Sequence, residues 1–415
     1  MMNIKLRLIF MNFLQFFVWG AWLISLGKYM IVTLHFTGGE VASVYGTMGI
    51  ASLFMPGLLG ILADRWINAE RLLGACHIIG AGLLIWASTI HDYPTLYIIM
   101  LLNAMFYMPT IALNNTVSYI VLEKKGFNIV EIFPPIRVWG TVGFIFAMWA
   151  VDICGWTASR MQLYVSAGAG LCLGLYAFTM PACTPVKTTQ KKTLSSSLGL
   201  DAFVLFRQRK MAVFFLFAMF LGAALQITNA FGLPFISDFS RVYPESFGVR
   251  HPNLLTSISQ ISETLFILTI PFFLSRFGIK RVMLMSIFAW VFRFGLFGIG
   301  NPGSGLFFLV LSMIIYGMAF DFFNISGSLF IEKEAPITIR ASAQGLFMIM
   351  TNGLGAFLGG VGSGWVVDHF TVNGVKDWHS IWFVFAGYAL VLGIAFPLAF
   401  KYHHQRGGAL PAVSH

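Results

Sequence analysis

Charge is what this chain of 415 residues has least of: Asp, Glu, Lys and Arg make up 10% of it, against about 25% in an ordinary soluble domain. A hydrophobic share of 58% accompanies that deficit, and together they exclude a soluble globular protein of this size. Cysteine is also sparse. Cys76, Cys154, Cys172 and Cys183 lie in or near apolar stretches without metal-type spacing, so neither a disulfide framework nor a zinc site has support. No P-loop or HExxH occurs, and the loops offer no Ser, His and Asp that could be assembled into a triad. His77 and His91 are isolated and read as structural. The loops are short and leave no room for a soluble catalytic domain. An enzyme is not expected, and no cofactor is called for.

What is there instead is a series of apolar runs long enough to cross a bilayer, about 20 residues each. Twelve occur, near 9–30, 41–62, 72–90, 95–121, 132–154, 161–181, 211–238, 253–275, 282–299, 306–332, 343–367 and 381–400. The first is too long, and ends too little like a cleavage site, for a removable signal peptide.

The net charge of +10 is a topology signal. Of the 26 Lys and Arg, 19 fall on the side of the two termini and five on the other, with Arg137 and Arg293 within spans or at their edges. The positive-inside rule then places both termini in the cytoplasm, and a nucleic-acid partner is not expected. The connections after the second and eighth spans correspond, with Arg65 and Arg276 lying 211 residues apart. The expected fold is an all-α membrane protein of 12 transmembrane helices in two six-helix halves, 1–186 and 209–415, arranged as a parallel repeat. The stretch 187–208 is basic and polar and reads as a cytoplasmic linker, with 198–206 as a short surface helix.

Polar residues inside the spans recur at helical spacing. Asp321 sits mid-span among Tyr316, Phe320, Asn324, Ser326 and Ser328. A carboxylate in hydrocarbon costs several kcal/mol, so it must face a bundle interior or an aqueous cavity. Thr256, Gln260 and Glu263 form a second such stripe, Gln226 and Asn229 a third, and Arg137, Thr141, Phe144 and Met148 a fourth. Asn103, Tyr107, Thr110 and Asn114 share a face of the fourth span, and Gln15, Trp19 and Trp22 a face of the first. Hydropathy leaves the depth of Arg137 open, because Pro134 and Pro135 could begin or kink its helix. Arg293 reads as the counter-ion of Glu263 and Asp321. Gly232 and Pro234 are expected to break the seventh span, while Gly355, Gly359, Gly360 and Gly364 read as a close-packing seam.

Without an ATP site, such a protein must draw on an ion gradient. Carboxyls held out of water retain protons more readily than exposed ones, which suits proton coupling. A cavity lined by amides, hydroxyls and flat aromatics, with few fixed cations, suits a neutral solute bearing hydroxyls or amides and a flat ring.

The two-half plan resembles the major facilitator superfamily, whose loop signature is met in part by Gly60, Asp64 and Arg65 but not by Ile67 and Asn68. More specifically, FPPIRVWGTVGF (133–144), LGLDAFVLF (198–206), LQITN (225–229), SISQISETLFILTIPFFLSRFGIK (257–280), YGMAFDFFNISGS (316–328) and RASAQG (340–345) resemble the nucleoside:proton symporters of enterobacteria. That resemblance runs through both halves. It implies a central pocket made by Arg137, Thr141, Phe144, Gln226, Asn229, Gln260, Glu263, Tyr316 and Phe320, with Asp321 and Glu263 tied to proton coupling. The partners it implies are a nucleoside, protons and the lipid bilayer of the bacterial inner membrane, for a chain acting as a monomer. A sugar/proton symporter and a non-transporting nucleoside sensor are the alternatives.

Overall fold

The computed structural model describes residues 3–185, 200–336 and 339–402. Most of the linker expected at 187–208 therefore lies outside the described residues. Its last part forms a 3₁₀ helix, Leu200–Arg207, that buries Ala202 and Leu205.

Twelve spans are present. α1 is Ile4–Gly20, continued after a turn by Leu26–Lys28 and the π-helical Tyr29–Thr33. α2 is Gly38–Arg65, α3 Ala69–Ala87, α4 Tyr93–Lys124, α5 Ile129–Ile153 and α6 Met161–Ala177. α7 is Arg209–Asp238. Pro252–Ile299 divides at Gly278, whose φ of 77° is open to glycine without strain, into α8 (252–277) and α9 (279–299). α10 is Leu306–Glu334. α11 runs from Arg340–Met348 through the π-helical Ile349–Gly355 to Ala356–His369, and α12 is Trp378–Ala399. With an even number of crossings, the two ends of the bundle are distinct. The first and last described residues lie at one end; the other is called the far end below.

Local chemistry explains several boundaries. Asp92 and Asp377 precede α4 and α12 and accept backbone N–H bonds from Thr95 and Ser380, 3.0 and 3.2 Å. Hydrogen bonds from Thr95 and Ser380 hold those two carboxyls below their ordinary values. The turn that interrupts α1 is met by α2, since the Tyr45 hydroxyl donates to Leu23 O and accepts from Gly27 N, at 2.6 and 3.0 Å.

The expected break in α7 does not occur; the helix runs through Gly232 and Pro234. A proline lacks the N–H that would bond the carbonyl four residues back, here Ala230. That carbonyl is where Gly27 packs, so closely that a Cβ on Gly27 would lie 2.4 Å from Ala230 O. Tertiary packing thus absorbs the defect.

The glycines of α11 serve two seams. Side chains at Gly355 or Gly359 would collide with Met219 O and Ala223 O of α7, at 2.4 and 2.5 Å. At Gly360 and Gly364 they would meet Ala42 and Gly38 of α2, in the other half.

Candidate functional site

The polar stripes of the first half fold into a closed hydrogen-bond network. Gln15 donates to Thr110 Oγ1 and its carbonyl oxygen meets His77 Nε2, each at 2.8 Å, while the Tyr107 hydroxyl donates to Gln15 O at 2.8 Å. Asn114 donates to Asn12 Oδ1 at 2.8 Å. His77 is therefore structural as expected but not isolated. Most of these groups satisfy one another and stiffen the half, although Asn114 Oδ1 and Trp19 Nε1 are buried without a partner among the described residues.

The face of the network turned toward the second half is aromatic. Trp19 lies 5.7 Å from Tyr107 and meets Phe144 edge-on at 6.3 Å. Phe144 is buried, and Thr141 and Arg137 follow it along α5, both half-buried. The Arg137 guanidinium lies over the Phe16 ring at 4.0 Å. It also stands within electrostatic reach of Glu263 from the opposite half. α5 begins at Ile129, five residues before the first proline, so Arg137 lies inside the helix rather than at its start.

In the second half, α10 supplies Tyr316 and Phe320 one turn apart, their ring planes 4° from parallel and their centroids 6.1 Å apart. Gln260 on α8 stands within electrostatic reach of the Tyr316 hydroxyl. Glu263, one turn along the same face, is half-buried and within electrostatic reach of Asp321. Asn229 is half-buried on α7 and Gln226 is buried one turn earlier. Asp321 Oδ2 and Gln226 Nε2 are among the buried atoms here with no hydrogen-bond partner among the described residues, as are Ser326 Oγ and Arg293 Nε. The first is an acceptor and the second a donor, and each such orphan costs about 1–3 kcal/mol.

Arg293 corrects an expectation. It makes no salt bridge to either acid among the described residues. Its guanidinium donates to Ser312 O at 3.0 Å and lies 4.5 Å from the Tyr316 ring centroid. The cation is held by a carbonyl and an aromatic face, which leaves the acids free.

Three lining residues escaped the sequence reading. Trp290 meets Tyr316 edge-on at 6.1 Å. With Thr351 and Asn352 of α11 it lines a small cleft that also includes Leu225, Phe320 and Asn324. Asn352 falls in the π-helical turn, where one extra residue shifts the helical phase. A 3.6-residue pattern could not place it; the free polar pair Thr351-Asn352 in an apolar run was the available signal.

The profile of the family described as "Nucleoside H+ symporter" matches residues 2–405. Xanthosine permease of Escherichia coli (strain K12) is 56% identical over 407 residues, 97% of each chain. Nucleoside permease NupG of the same organism is 52% identical over 408 residues, 98% of each chain. The crystal structure of nucleoside transporter NupG superposes with a TM-score of 0.91 at 52% identity, covering 97% of this chain and 100% of that one.

Proposed function

The chain belongs to the nucleoside H+ symporter family, and from that premise we propose that it imports nucleosides with protons across the bacterial cytoplasmic membrane by alternating access. It is a multi-pass membrane transporter and not an enzyme. Both termini lie in the cytoplasm on this reading, in line with the basic excess at their end. The two six-helix halves, joined through 187–208, rock about the central site, and the chain acts as a monomer.

One observation carries the proposal: an unpartnered buried acceptor, Asp321 Oδ2, and an unpartnered buried donor, Gln226 Nε2, in the half that carries the parallel rings of Tyr316 and Phe320. Tyr316, Phe320 and Phe144 take the flat base. Gln226, Asn229, Gln260, Thr141 and Arg137 hydrogen-bond its edge and the ribose hydroxyls. Asp321 and Glu263 carry the proton. Two carboxylates beside the pocket disfavour a phosphorylated solute.

The test is uptake of labelled uridine into proteoliposomes under an inward proton gradient, with adenosine, uracil, ribose and UMP as competitors. The expected order is nucleoside, then free base, then ribose, with UMP excluded. Phe320→Ala should weaken uridine about threefold to tenfold, the worth of one stacking contact, and leave ribose unchanged. Ribose competing as well as uridine would make this a sugar symporter. Uridine that binds without accumulating would make it a sensor.

A further inference from the structure

Five side-chain hydrogen bonds join the halves toward the far end. Two sets share one design. Asp152, in the last turn of α5, accepts from Leu254 N in the first turn of α8, at 2.7 Å. Asp368, in the last turn of α11, accepts from Gly38 N and Gly39 N in the first turn of α2, both at 2.7 Å. In each case a carboxylate from the end of one half's helix closes on the open N–H groups that begin a helix of the other half.

The correspondence is positional. Asp152 and Asp368 are 216 residues apart, and so are Gly38 and Leu254. One contact therefore occurs twice, related by the internal repeat.

The helices receiving these carboxylates depend on them. α8 begins at Pro252 after His251, which gives no side-chain cap, so the first-turn N–H of Leu254 is met by Asp152 from across the seam. α2 has its own capping box, Thr37 with Glu40, but this leaves the N–H groups of Gly38 and Gly39 for Asp368. A side chain at either position would push the Asp368 carboxylate aside. A Cβ would stand 2.7 Å from Asp368 Oδ1 at Gly38 and 2.9 Å from Oδ2 at Gly39. The charge also suits its place, since a helix N-terminus attracts an anion. Lys28 and His251 face Asp152, with His251 Nδ1 at 3.6 Å from Oδ1.

We propose that Asp152 and Asp368 are twin locks of the far-end gate, holding it shut here and releasing their backbone partners when it opens. This rests on the alternating-access reading above. Asp152 is buried whereas Asp368 is exposed, so the first lock is the stronger. Both act on one equilibrium, and their effects multiply.

The test is the distance between spin labels on cysteines introduced at His91 and Val242, in the loops of the two halves at the far end, without solute. The background carries Cys154→Ser and Cys172→Ser, replacing the two exposed thiols. The parent protein should give one dominant short distance. Asp152→Ala should raise the proportion of a longer distance about tenfold, Asp368→Ala about threefold, and the pair about thirtyfold. Gly39→Ala, which keeps every carboxylate, should act like Asp368→Ala. Uridine binding in each variant serves as the check on folding. Unchanged distances in folded Asp152→Ala and Asp368→Ala would overturn the proposal, whereas failed uridine uptake by the parent would overturn the transport reading alone.

Discussion

Asp321 is the residue on which transport turns in this reading. Its carboxyl is buried, one oxygen has no partner, and the nearest intramembrane cations are engaged elsewhere, Arg293 by Ser312 and Tyr316 and Arg137 by Phe16 and Glu263. A proton is the smallest partner that satisfies such a group. Asp321→Asn keeps the shape, can still donate to a solute, and cannot take up a proton. It should hold uridine within about threefold of the parent affinity, by less than the 1–3 kcal/mol of a lost buried hydrogen bond. It should fail to accumulate uridine against a gradient. Uridine titration beside a vesicle uptake assay checks both, and full proton-driven accumulation in the variant would remove Asp321 from the coupling. The acid was legible in the sequence because its cost in hydrocarbon needs an explanation wherever it stands. The partner of Arg293 was not, since a carbonyl and an aromatic face leave no mark in residue type.

At the scale of elements, α11 shows how much a pattern can and cannot carry. Its glycine spacing announced close packing, and the contacts divide that seam into one face against α7 and another against α2. Gly359→Leu would drive a side chain into Ala223 O, 2.5 Å from where its Cβ must sit. Overpacking of this kind costs about 1–3 kcal/mol. Gly362→Leu meets open space and should be neutral. Thermal unfolding in detergent separates them: a clear loss of Tm for the first and none for the second is the expected result. The spans themselves were readable from apolar length. The π-helical turns, the interruption after Gly20 and the passage of α7 through Pro234 were not. The last two are met by contacts from other helices, the Tyr45 hydroxyl at the interruption and Gly27 at α7.

For the molecule as a whole, on the reading proposed above, the far end is closed by backbone held to carboxylate, and the site lies between the halves with four ionisable groups about it. These are Arg137 and Arg293, Glu263 and Asp321. Held in a single protein interior, they have an electrical meaning beyond recognition. With both carboxyls ionised the four charges cancel, so the empty carrier reorients as a neutral body and membrane voltage does no work on it. A bound proton leaves one positive charge, and a nucleoside adds none. Voltage then acts on the loaded step alone, at about 2.3 kcal/mol per charge per 100 mV across the full membrane. Uridine entry into vesicles without a pH gradient should therefore quicken when a potassium diffusion potential makes the interior negative. A rate indifferent to that potential, yet responsive to pH, would mean that the charges of the site do not cancel in this way.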